Sequence, residues 1–171
     1  MKKLFCGIAA CILATSASYS QANSYIGLSL GETDINSPIA EDGNSIAITG
    51  GHKFNKNFAM EVSYINLGKW KDNIAPIWTL ELDGFNFSAV GIFPVNDTID
   101  IFGKFGIFKW EVTLDEAGTG EIASDDGTDT SIGFGAAVNL SNQSSIVLEY
   151  QEFDLEDDDV SNISIGFRAN F

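Results

Sequence analysis

Apolar and polar residues alternate along most of the chain, and the final stretch shows it most cleanly. In Val160–Phe171, Ile163, Ile165, Phe167, Ala169 and Phe171 fall on one face at a period of two; Asn162, Ser164, Gly166, Arg168 and Asn170 fall on the other. That is a strand with one apolar and one polar face. Seven earlier segments repeat the pattern: Tyr25–Gly31, Ser45–Phe54, Phe58–Leu67, Phe85–Phe93, Thr98–Val112, Thr130–Leu140 and Ser145–Phe153. Two places resist it. Leu80 and Leu82 have the opposite parity to Phe85, Phe87, Ala89 and Phe93, which predicts a bulge near Gly84 or a strand that starts later. Phe102, Phe108 and Trp110 share the polar row of Lys104, so periodicity leaves the far half of the fifth strand unoriented.

The connections alternate in length. Asn55–Asn57, Pro94–Asp97 and Ser141–Ser144 are short and rich in turn formers, whereas Glu32–Asn44, Gly68–Gly84, Thr113–Asp129 and Asp154–Asp159 are longer or charged. In an up-and-down meander every tight turn then lies at one end, with both termini, and every long loop at the other. Eight strands so connected predict an all-β fold: an eight-stranded antiparallel up-and-down transmembrane β-barrel in a bacterial outer membrane, with the long loops outside. The terminal strand fits, because a barrel in lipid must pair its last strand with its first. A soluble periplasmic barrel carrying an apolar ligand is the inverted alternative, with Ile163, Ile165 and Phe167 inside.

Composition narrows this further. Lys2 and Lys3 precede an apolar run from Leu4 to about Ala17, and Ser20-Gln21-Ala22 offers small residues for cleavage, so residues 1–22 read as a signal peptide and 23–171 as the barrel domain. Both cysteines, Cys6 and Cys11, fall in that leader. The formal charge of −15 excludes a nucleic-acid partner, since phosphate binding needs the opposite sign.

Several stretches resemble a known family. Gly50-Gly51-His52-Lys53-Phe54-Asn55 followed by Met60-Glu61-Val62-Ser63-Tyr64 is similar to the second and third strands of the OmpA-type barrels. Pro94–Gly106 resembles that family's turn and fifth strand, and Leu148-Glu149-Tyr150-Gln151 its seventh. The sequence departs from many members in ending at the barrel, with no peptidoglycan-binding domain after it, so it is expected to stand closer to the stand-alone OmpX/Ail group. The resemblance implies an inward charged cluster connected with a narrow ion path. It also implies that Phe171, a terminal aromatic after alternating apolar residues, is the signal read by the barrel-assembly machinery.

In the barrel reading the polar face is the lumen, where Glu61, Lys104, Glu149 and Arg168 collect. An eight-stranded lumen is filled by side chains, and buried charges must pair, so structural packing is expected ahead of a slow porin-like conductance. Tyr64, Trp70, Trp78 and Tyr150 are expected in the outer aromatic girdle. His52, the only histidine, is expected at the inner interface on the lipid-facing row. A single histidine argues against multi-histidine metal sites, and no luminal hydroxyl has a histidine within reach, so no enzyme, metal or cofactor is expected. The acidic runs 115–129 and 154–159 suit oxygen-only cations but match no calcium-loop spacing, and are read as solvated loops. The expected partners are outer-membrane lipid, lipopolysaccharide and surface or host ligands met through the loops. The barrel itself is expected to be a monomer.

Overall fold

Eight strands with one apolar row each can satisfy lipid on that row only if the sheet leaves no unpaired edge in the hydrocarbon. The computed structural model, which describes residues 23–35, 43–72, 78–116, 120–155 and 159–171, meets that condition. Strands β1 (Ser24–Ile35), β2 (Gly43–Asn55), β3 (Phe58–Asp72), β4 (Trp78–Pro94), β5 (Ile99–Glu116), β6 (Gly120–Ser141), β7 (Ser144–Asp154) and β8 (Asp159–Asn170) form one closed antiparallel barrel in sequence order. Closure is made by β1 and β8, in register from Tyr25↔Asn170 to Ile35↔Val160. The expected leader lies outside the described residues.

The apolar rows face outward. Ile163, Ile165 and Phe167 are 53%, 59% and 52% exposed, and Phe93, Phe105, Ile132 and Phe134 are equally open. The inverted alternative, with these side chains around an interior ligand, is overturned. An outward row such as Ile132–Leu140, about nine residues at roughly 3.3 Å each and tilted by about 40°, crosses some 20–25 Å, near the height of an apolar band.

The strands are longer than the alternation indicates. Most of the expected loops 68–84 and 113–129 is sheet: β4 pairs with β5 from Trp78↔Glu116 to Pro94↔Asp100 without a break, and β5 with β6 as far out as Glu116↔Gly120. Charge hid this. Val112 and Leu114 share one face of β5, and Trp110 lies directly opposite Gly127, so the β5–β6 hairpin keeps an apolar side beyond the membrane.

The expected bulge near Gly84 is not on β4. Leu82 continues the inward row of Asn86 and Ser88 and is buried. The irregularity is on β3, where Asn66 opposes Asp83 but Gly68 opposes Leu82, leaving one extra residue. Gly68 has φ of 132°, and Asn66 Oδ1 accepts its N–H at 3.1 Å. One inserted residue exchanges the faces of everything beyond it. Trp70, which parity puts with Tyr64 on the lipid side, therefore lies opposite Leu80 and packs against the interior apolar cluster. It leaves the expected outer girdle.

Gly68→Ala should destabilise the folded barrel by about 1–3 kcal/mol, the usual cost of a side chain at a positive φ. Its Cβ would also sit 3.2 Å from the Gly43 Cα. Equilibrium unfolding in detergent micelles would show this as a lower midpoint at unchanged denaturant dependence.

Candidate functional site

Alternation decides which charges enter the lumen, and the barrel decides which meet. Glu61 on β3, Lys104 on β5, Glu149 on β7 and Arg168 on β8 all lie on inward rows. The structure brings the four together. Lys104 bridges Glu61 and Glu149, with its Nζ 2.7 Å from Glu149 Oε2, and Arg168 Nη2 donates to Glu61 Oε1 at 3.1 Å. Glu61, Lys104 and Arg168 are 3%, 7% and 9% exposed. Two acids and two bases leave no net charge in a place where an unpaired one would be very costly.

Tyr25 completes the cluster. Its hydroxyl donates to Glu61 Oε1 at 2.6 Å, and the Arg168 guanidinium stacks 4.2 Å from its ring centre. The ring lies over Gly51, directly opposite on β2, where any Cβ would collide with it. Sequence reasoning left Tyr25 out of the cluster, although it shares the parity of Gly27 and Ser29.

Two apolar layers bracket this centre. On the turn side lie Ala59, Val90, Ile92, Phe102, Ala137 and Val147. On the outer side lie Ile65, Leu67, Leu82, Phe108, Phe153 and Val160, with Phe108 and Phe153 in ring contact at 4.4 Å. Between the centre and the outer layer, hydroxyls and amides satisfy one another: Ser131 donates to Asn86 at 2.8 Å, and Ser45 to Asn162 at 2.5 Å. The outer layer was missed because its residues interrupt rows that are elsewhere polar.

The remaining candidates lie on the outside. Tyr64 stacks on Phe85 at 5.2 Å and donates to Asp83, and Tyr150 stacks on Phe134 at 5.3 Å and donates to Glu152. Each thus has an apolar ring and a wet hydroxyl, as at a membrane boundary. Trp78 opens β4 opposite Glu116; its side chain is outside the described ones. His52 is exposed near the β2–β3 turn, edge-on to Phe54, with Nδ1 3.0 Å from Ser24 Oγ on the facing strand. Phe171 joins the closure ladder through both its N–H and its C=O to Ser24. Of the acidic runs, Asp115, Glu116, Glu121, Asp125, Asp126 and Asp129 stand on strands, while Glu156, Asp157 and Asp158 lie outside the described residues. Among the described residues no group of three or more potential ligands is placed to hold a metal ion.

The family model for the outer membrane protein β-barrel domain matches residues 4–171. The chain belongs to that family. Its place is therefore the bacterial outer membrane, crossed by strands. No curated protein matches it in sequence. Among solved structures it is similar to Neisserial surface protein A, NspA (16% identity, 86% of this chain and 97% of that one, TM-score 0.72). It is also similar to Ail, the attachment invasion locus protein of Yersinia pestis (15% identity, 89% and 100%, TM-score 0.64). A second structure of Ail, in complex with the heparin analogue sucrose octasulfate, aligns at 15% identity over 87% of this chain and 97% of that one, with a TM-score of 0.62. These are eight-stranded outer-membrane barrels, and at such identities the likeness is one of fold.

Lys104→Met would strand Glu61 and Glu149 beside a single cation and should cost about 3–5 kcal/mol. Adding Glu149→Gln restores neutrality, so the double variant should regain at least half of that loss in unfolding measurements on the refolded barrel. Additive losses would mean that the ion pairs are not coupled.

Proposed function

We propose that this is a surface barrel with a sealed lumen, working through its outer end in adhesion or in binding surface ligands. The observation that carries this reading is the placement of charge. Among the described residues, 32–35, 43–44, 66–72, 78–83, 109–116, 120–129, 152–155 and 159, at the outer end, hold 15 acids and three basic residues. The other described residues hold four acids and four basic residues, in balance. A one-sided field of this kind attracts and orients cationic partners and repels polyanions. That the similar Ail takes a heparin analogue supports ligand binding by a barrel of this size. The charge here favours ligands of the opposite sign to that one.

A narrow porin is the second reading, favoured by the luminal ion pairs. The apolar layers on both sides of them weigh against it, because an ion would have to cross two dry constrictions in a lumen filled by side chains. Catalysis is not part of the proposal. Ser24 and His52 lie on the outward row; the Ser24 N–H donates to the Phe171 carbonyl and the Lys53 N–H to the Asn23 carbonyl, so neither amide is left to stabilise an oxyanion at Ser24. The pair serves instead as an interface hydrogen bond beside the Phe54 ring. Removal of residues 1–22, recognition of Phe171 by the assembly machinery, contact with lipopolysaccharide and a monomeric state complete the proposal.

Purified barrel in planar bilayers should be silent. Discrete steps that vanish in Lys104→Ala or Arg168→Ala would instead establish the porin. Cells expressing the protein should bind matrix-coated wells severalfold better than cells expressing a Glu111→Gln/Asp125→Asn/Asp126→Asn variant at equal surface level. Equal binding would remove the outer end from the function.

A further inference from the structure

The sheet continues past the membrane, and among the described residues one of its edges has no paired neighbour. β6 pairs with β5 from Val138↔Ile99 out to Gly120↔Glu116, but with β7 only from Thr130↔Asp154 inward. Among the described residues, 120–129 of β6 therefore have a neighbour on one side only. Every second residue there turns its N–H and C=O away from β5, a template for one more strand. Where β7 stops, a notch of about 380 Å³ opens, lined by Ile107, Thr128, Asp129, Thr130 and Asp154. A strand added to the β6 edge would run on from β7 above this notch.

Charge selects what can be added. Residues 120–129 include Glu121, Asp125, Asp126 and Asp129 and no basic residue. On the outer face Asp83, Glu111 and Asp126 stand directly opposite one another across β4, β5 and β6. Like charges side by side weaken a sheet. The next position in that row, opposite Asp126, belongs to whatever pairs with the open edge. A lysine or arginine placed there relieves the row, whereas a second copy of this edge would extend it with more acids.

We propose that the β6 edge binds an extended, basic segment of a partner protein as an added strand, with cationic side chains opposite Asp126 and, at the notch, beside Asp154. Main-chain pairing supplies the docking mode, and alternate side chains supply selection. This rests on the surface-interaction reading and names the chemistry of the partner.

The test uses the full barrel in nanodiscs and a labelled ten-residue peptide of alternating lysine and threonine, followed by fluorescence anisotropy at low salt. A second peptide, N-methylated at alternate residues, keeps the charge and loses ladder donors. The expected results are saturable binding of the first peptide and at least tenfold weaker binding of the second. A similar loss is expected with Asp126→Lys, whose folding is checked by the gel shift on boiling. No binding of the first peptide would overturn the proposal. So would equal binding of both peptides, which would mean charge attraction without strand pairing. Concentration-dependent dimers that Asp126→Lys abolishes would also overturn it, because the edge would then be occupied by a second copy. If the peptide fails while adhesion still depends on the acidic outer end, only this inference falls; if both fail, the surface reading falls with it.

Discussion

In hydrocarbon a backbone amide finds no water, so every strand that crosses must have a hydrogen-bonded neighbour on both sides. The rest of this molecule follows from that requirement. It forces β8 onto β1, and it makes the chain's end, where Phe171 and Ser24 exchange both main-chain bonds, part of the wall. It also fixes the direction of each side chain. Once the ladder closes, every alternate residue must face either lipid or a lumen too narrow to hold much water.

The lumen solves its crowding by stratification. Charges lie in one layer with their count balanced, hydroxyls and amides in the next, and aromatic and aliphatic side chains on both flanks. Lys104 and Arg168 reach Glu61 from strands two and three places away around the wall, so the ion pairs act as struts between non-adjacent strands. Tyr25 ties the first strand into the same set through Glu61. Struts of this kind favour a single closed shape over an open path. Beyond the outer boundary the closure requirement lapses, because water can satisfy an unpaired edge, and there, among the described residues, β6 runs past β7 next to a concentration of acids.

Much of this was legible in the linear chain. A period of two, kept through eight segments, states which residues face lipid; the alternation of short and long connections states the topology. The same parity put Glu61, Lys104, Glu149 and Arg168 on inward rows, because direction along a strand is a local property. Which of those four touch, and that Tyr25 joins them, depends on register between strands distant in sequence, and only the closed barrel decides it. The extra residue at Leu67–Gly68 is the sharpest case. Each neighbouring residue suits a strand, yet the pairing of Gly68 with Leu82 reverses the faces beyond it and carries Trp70 from the expected girdle into the interior. The length of β5 and β6 was likewise hidden, since the Trp110–Gly127 contact that supports it joins two strands across a hairpin. Within an unbroken run of alternation the linear chain states the direction of each side chain, because that follows from neighbours along it; past the β3 bulge it does not. The tertiary structure alone decided which side chains meet, because that follows from neighbours across it.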